Sequence, residues 1–215
     1  MSVFDHPIVM LDFETTGLSP AMGDRITEVA ALRIVGGRVV ERYVSLINCN
    51  ARIPSFITAL TGISQQMVDA APPVRRVLPE LLDFIGGDTL SAHNASFDEK
   101  FLIAEAGRLD LAPSHQALVC SLKLSRRLFP GMPSYKLGTL SSQLGIRFRS
   151  AAHRAESDAE VGAELLIHIA RHLGRSYGMD QVESSLLVSV NKLSAAKVPA
   201  YLDKYASAKK SAGPD

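Results

Sequence analysis

"ITEVAALRIVGGRVVERYVSLIN", residues 26–48, decides how the fold begins. It reads as two strands that meet at Gly36-Gly37, and a glycine pair between two such runs is a strong hairpin signal. The chain therefore starts antiparallel. On its N-terminal side, "IVMLDFETTGLSP" (8–20) opens with apolar residues and predicts a buried strand over 7–14. On its C-terminal side, short helical pieces around "PSFITALTGIS" precede a helix in "PPVRRVLPELLDFIG", with proline near its start and glycine beyond its end. "DTLSAHNAS" predicts a fourth strand, "FDEKFLIAEAGRL" a helix and "QALVC" a fifth strand. Helices near 121–128 and 135–144 lead to a long one over about 155–173. A meander of three strands followed by strand and helix in alternation predicts an α/β fold, a mixed five-stranded sheet flanked by helices. Past Gly174 the pattern weakens, although Val182, Leu186 and Val190 keep helical spacing and "AYLDKYASAKK" predicts one more short helix. The expected division is a domain over 1–174 and a helical C-terminal appendage over 175–215 with a frayed end.

At 215 residues the chain is long enough to bury a real core. Its net charge of +1 lacks the basic excess that holds duplex DNA by phosphate neutralisation alone. The absence of a GxxxxGK loop disfavours an ATPase or kinase. Apolar runs are only a few residues long, so no membrane partner is expected. "MSVFDHPIV" lacks the basic start and long apolar run of a secretory signal, which predicts a cytoplasmic protein. Cys49 and Cys120, far apart and outside any CxxC, fit a reducing compartment as small buried hydrophobes.

Why a core strand should end in Asp12 and Glu14 is the question its neighbours answer. Strand side chains alternate, so Ile8, Met10, Asp12 and Glu14 share one face while Val9, Leu11 and Phe13 share the other. Two carboxylates side by side raise each other's pKa unless a cation holds them ionised. Asp98 begins the helix after the fourth strand, on the face of Phe101 and Leu102, and Asp158 heads the row Gly162, Leu165, Ile169 in the last long helix. One aspartate in a first helical turn is ordinarily a cap or a dipole partner. Inward-facing acids on three separate elements are not accounted for by capping. Four carboxylates without a nearby cysteine make a hard, all-oxygen donor set that selects Mg²⁺ or Mn²⁺ over Zn²⁺. Two such ions about 3.5–4 Å apart serve in-line displacement at phosphodiesters. His153, five residues before Asp158 in "HRAESDAE", supplies the base, because an imidazole pKa of about 6.5 suits proton removal from water.

"DFETTG" (12–17), "HNASFD" (93–98) and "HRAESD" (153–158) resemble, in order and spacing, the three exonuclease motifs of the DEDD superfamily. The histidine five residues before the last aspartate marks the DEDDh branch, which includes the epsilon subunit of bacterial DNA polymerase III, ribonuclease T and oligoribonuclease. The resemblance covers about 5–173. It implies a ribonuclease H-like fold, two divalent metal ions and removal of nucleoside 5′-monophosphates from a 3′ end. On this reading Asp12 bridges both ions, Glu14 and Asp158 complete one site, Asp98 supports the second and His153 is the general base. It also implies substrate contacts from Thr15, Thr16, Gly17 and Leu18 in the loop after the first motif, with Leu18 wedged against the last base. Thr61 in "LTGIS" and Asn94 and Phe97 in the second motif are further contacts on the same ground.

The expected function is a metal-dependent 3′ to 5′ exonuclease on single-stranded or frayed DNA ends, in proofreading or repair, with a DNA polymerase as a candidate partner. An RNA 3′-end trimming enzyme or a nuclease of very short oligonucleotides is the runner-up. A non-catalytic polymerase-binding module ranks last, because it predicts erosion of acids that are all present. Around the motifs, Glu156 adds a negative charge near His153, and His93 is expected to order the turn before Asn94. His168 and His172 are expected to serve the helix dipole rather than a metal. "KLSRRLF" (123–129), Lys136, Arg147, Arg149 and Arg154 are candidates to guide a single strand, with Phe148 as a stacking ring.

Overall fold

The computed structural model describes residues 3–146 and 153–211. Among these, five strands, β1 (Ile8–Thr15), β2 (Ile26–Val35), β3 (Arg38–Leu46), β4 (Thr89–Ala92) and β5 (Leu118–Cys120), form one sheet in the order β3-β2-β1-β4-β5. The helices are α1 (Ser55–Thr61), α2 (Gln65–Asp69), α3 (Val74–Ile85), α4 (Ser96–Gly107), α5 (Ser121–Leu128), α6 (Leu137–Gln143), α7 (Ala155–Tyr177), α8 (Ser184–Lys192) and α9 (Val198–Ser211). β1, β2 and β3 pair antiparallel, and β4 and β5 continue the sheet in parallel with β1. Gly36 and Gly37 turn the β2–β3 hairpin with φ of 60° and 79°. Two successive positive φ angles match the twist of the strands they join, and glycine adopts them without steric cost.

β1 is central, and its alternation feeds two cores. Ile8 and Met10 pack with Leu32, Ile34 and the inner face of α7, while Val9, Leu11 and Phe13 pack with Val77, Leu81, Phe101 and Leu102 of α3 and α4. The face of α7 that meets the sheet carries Ala155, Ala159, Gly162 and Ala163, all buried. Small side chains there let the helix axis come close to β1.

The predicted elements recur with shifted ends. The long helix runs on to Tyr177, where Gly178 turns left-handed at φ 66° and donates its N–H to Gly174 O. This is a glycine helix stop. The fifth strand shortens to three residues, paired with β4 over Leu90–Ala92. Val182 lies ahead of α8 and bridges to Phe4. Beyond it, Leu186, Leu187, Val190, Val198 and Leu202 join the same core as Met10 and α7. Asn191 of α8 finishes the edge of β5, accepting from Cys120 N at 2.6 Å and donating to Cys120 O at 3.2 Å. Residues 212–215 of the expected frayed end lie outside the described residues.

Candidate active site

The sheet pairing of β4 with β1 runs only from Ile8 to Met10, and the acids begin where it stops. Asp12 and Glu14 leave β1 on the α7 side, and the register with β2 shifts between Glu14 and Thr15. Such irregularities recur beside active sites because they re-aim a side chain. α7 rises past the same spot with Asp158 in its first turn. One carboxylate oxygen from each of Asp12, Glu14 and Asp158 lies within 4.8 Å of the others. Asp98, in the first turn of α4, stands outside this trio, buried, where its Oδ1 accepts from Phe13 N at 3.2 Å. It thus takes a β1 N–H beyond the reach of β4.

The electrostatics follow from crowding. Burial, then the charges of Asp98, Asp158, Glu14 and Glu28, raise Asp12 well above the usual carboxylate range. Glu14 is pushed up to about 7 by burial, Asp158 and Glu28, with Arg154 pulling the other way. Burial lifts Asp98 to about 8, against the pull of its backbone hydrogen bonds. Burial also raises Asp158, opposed by His153. Four acids in this state ionise together only around added positive charge. An all-oxygen set of this kind fits a hard divalent cation, held by Asp12, Glu14 and Asp158 with Asp98 at hand.

His153 sits just ahead of α7 at φ 63°, and its N–H donates to Asp158 Oδ2 at 3.2 Å. A left-handed backbone is uncommon for a residue with a Cβ, and such conformations cluster where a site needs them. Its exposed side chain lines a groove of about 840 Å³ with Asp158, His93, Asn94, Arg126, Tyr135 and Lys136. The groove reaches from the acids along α5 and α6. Asn94 is on its rim, also at positive φ, 74°.

The loop after β1 is stiff. Thr15 Oγ1 donates to Gly17 O at 2.6 Å, and Thr16 Oγ1 accepts from Arg25 N at 3.0 Å. Asp24 accepts from Ser19 N at 2.9 Å and lies so close to Gly17 that a Cβ there would collide with its carboxylate. Arg25 donates from Nε and Nη2 to the two carboxylate oxygens of buried Glu105 of α4, and Lys100 Nζ donates to Leu18 O. From this clamped loop the Leu18 side chain stands 79% exposed. Phe97 is partly buried against Phe101, with ring centroids 5.0 Å apart. Thr61 is buried, its hydroxyl donating to Ile57 O and accepting from Ile63 N.

Several neighbours behave differently from the sequence reading. Glu156 is drawn to Arg42 on β3. His93 bridges Ser121 Oγ and Tyr135 O, each at 2.9 Å, and so ties the end of β4 to α5 and the groove wall. His168 and His172 set their rings edge-on to Phe129, and burial lowers both pKa values, so they are aromatic packing rather than dipole charges. Arg127 is spent on Leu193 O and Arg154 on Glu28, which leaves Arg126 and Lys136 at the groove. Arg147, Phe148 and Arg149 lie outside the described residues. Glu28 is the residue the sequence reading passed over. A charged glutamate inside "ITEVAAL", an otherwise uncharged and mostly apolar stretch of a two-sided buried strand, was the available signal.

The mixed sheet, the acids at the end of its central strand and the histidine before the last helix define a nuclease of the ribonuclease H-like class. A family model described as an exonuclease, RNase T, matches residues 9–166, and the chain belongs to the DEDDh 3′ to 5′ exonuclease family. It is 32% identical to the DNA polymerase III subunit epsilon of Aquifex aeolicus over 178 residues, covering 83% of this chain and 87% of that one. It is 40% identical over 165 residues to the 3′-5′ exonuclease DinG of Bacillus subtilis, covering 77% of this chain but 18% of DinG. The chain thus spans less than a fifth of that relative. A solved structure of exonuclease X in complex with 5′ overhanging duplex DNA superposes with a TM-score of 0.67 at 26% identity, covering 86% of this chain and 99% of that one. Escherichia coli exonuclease I with a dT13 oligonucleotide, at 19% identity and a TM-score of 0.70, shares the fold.

Proposed function

We propose that this protein hydrolyses single-stranded or frayed DNA from the 3′ end, releasing nucleoside 5′-monophosphates, in proofreading or repair. The observation that carries the reading is the meeting of Asp12, Glu14 and Asp158 beneath His153 at the head of an open groove. Divalent Mg²⁺ or Mn²⁺, two ions on this reading, would supply the positive charge that lets the acids ionise together and would make water more acidic. Asp12, Glu14 and Asp158 would hold that charge, with Asp98, anchored by the Phe13 N–H, supporting it from α4. His153 accepts the proton of the attacking water as its oxygen bonds to phosphorus and the bond to the leaving 3′ oxygen breaks. Thr15, Thr16, Gly17 and Leu18 receive the terminal nucleotide, Asn94, Phe97 and the Thr61 segment flank it, and Arg126 and Lys136 guide the strand behind it.

The epsilon-subunit relative and the DNA in the exonuclease X structure support DNA as the polymer and a polymerase as the source of frayed ends. In this reading 1–174 carries the chemistry and 175–215 braces it. The test is digestion of matched 5′-labelled single-stranded DNA and RNA with Mg²⁺, Mn²⁺ or EDTA, beside Asp12→Asn. A descending DNA ladder that needs metal and is absent in the variant supports the proposal. Equal rates on RNA overturn the choice of DNA, and a ladder that survives EDTA and the substitution overturns the site.

A further inference from the structure

Glu28 lies on β2 directly opposite Glu14 in the sheet register, 3% exposed, and its charge adds to the repulsion on Asp12 and Glu14 while its own carboxylate is paired with α7 and the residue before it. Its Oε2 accepts from Arg154 Nε at 3.0 Å and its Oε1 from Arg154 Nη2, a two-pronged pair. The same Oε2 accepts from Ala155 N at 3.0 Å. Ala155 is the first residue of α7 and fully buried, and the residue before it, Arg154, makes no side-chain cap. An orphan N–H at a buried helix start needs an acceptor, and here a neighbouring strand provides one. Glu28 therefore grips Arg154 and Ala155, the two residues that follow His153 and lie four and three residues ahead of Asp158.

We propose that Glu28 is a positioning residue for the hydrolysis, setting His153 and Asp158 against Asp12 and Glu14 through its hold on Arg154 and Ala155. The inference rests on the exonuclease reading above. The sheet fixes Glu28 relative to β1, because Glu14 and Glu28 are paired residues of adjacent strands. Glu28 in turn fixes the start of α7. His153, held at φ 63° with its N–H on Asp158, has its backbone bracketed between that grip and the first helical turn. Satisfying the Ala155 N–H calls for an acceptor at Glu28, but not for the second, two-pronged hold on the half-exposed Arg154 side chain. Bidentate arginine–carboxylate geometry, however, fixes direction as well as distance, and a shift of about 1 Å in a reacting group costs about 100-fold in rate.

Two measurements test it. In amide hydrogen exchange, Glu28→Gln is expected to speed exchange across residues 153–158 while leaving the β1 and β2 ladder unchanged. Unchanged protection there overturns the clamp whether or not the protein cuts DNA. In steady-state digestion at saturating Mg²⁺, Glu28→Gln and Arg154→Met are each expected to lower kcat about 10- to 100-fold with KM within about twofold. The double variant should be no slower than the worse single one, since both break one path. Multiplicative losses, a wild-type kcat, or an effect confined to KM overturn the positioning role. Arg154 has a 41% exposed side chain, so Arg154→Met keeps the test open should Glu28→Gln not fold. A wild type with the expected exchange pattern but no nuclease activity overturns the exonuclease reading instead.

Discussion

Gly162 of α7 lies against Met10 of β1 so closely that a Cβ at 162 would come within 3.0 Å of the Met10 sulfur. Met10 is two residues before Asp12 on the same strand face, and Gly162 is one helical turn after Asp158. The close approach of these two apolar positions is what brings the two acids together. Gly162→Val should push the helix away from the strand, since overpacking a filled core costs about 1–3 kcal/mol. Activity is expected to fall by about tenfold or more even where the variant remains folded, measured as kcat on single-stranded DNA beside a urea melt.

Stability without metal should depend on pH in a stated direction. Glu14 and Asp98 have native pKa values of about 7 and 8, raised from ordinary values of 4.5 and 3.8. Between these limits the native state binds more protons than the unfolded chain, so stability falls as pH rises. In EDTA the Tm is expected to drop from pH 4.5 to pH 8, beyond any trend in a Glu14→Gln, Asp98→Asn control. Saturating Mg²⁺ should flatten the slope, because binding to the native state alone stabilises it. A Tm that rises over this range in EDTA would contradict the raised pKa values.

His153→Gln should separate chemistry from metal binding. Removal of a general base costs about 100- to 10,000-fold in rate. The donor set of Asp12, Glu14 and Asp158 is untouched by this change, so Mn²⁺ affinity followed by calorimetry should stay within a few-fold of wild type. Retained kcat would assign proton removal to another group.

Leu18→Ala should leave the fold alone, because the side chain is 79% exposed and such surface changes stay within about 0.5 kcal/mol. Its expected effect is on the substrate: a several-fold higher KM on frayed duplex ends. Unaltered kinetics on every end structure would remove Leu18 from the binding loop.

Truncation after Tyr177 should unfold the protein rather than free a smaller nuclease. Leu186, Leu187, Val190, Val198 and Leu202 are all within 1% of full burial. Burying one such side chain is worth about 1.5–3 kcal/mol, so their loss rivals the whole stability of a domain, about 5–15 kcal/mol. Circular dichroism of the truncated chain checks this, and a native spectrum with an unchanged Tm would refute it.

Much of this molecule is local in origin and could be read from the chain alone. The double glycine at 36–37, the alternation in 8–15 and the spacing of the three acidic motifs each rest on backbone preference or on a period of 2 or 3.6. From these came the mixed sheet and the facing of Asp12, Glu14, Asp98 and Asp158. The fates of Glu28, Arg154, Arg127, Glu156 and His93 belong to the tertiary structure. Each side chain is polar and flexible, and local sequence equally allows it to sit in solvent, in a groove or in a pair. Its partner lies far along the chain: 126 residues separate Glu28 from Arg154, and 114 separate Arg42 from Glu156. The apolar pattern that sets strands and helices carries no record of such pairs, because they form only after the sheet and α7 have already been brought together by packing.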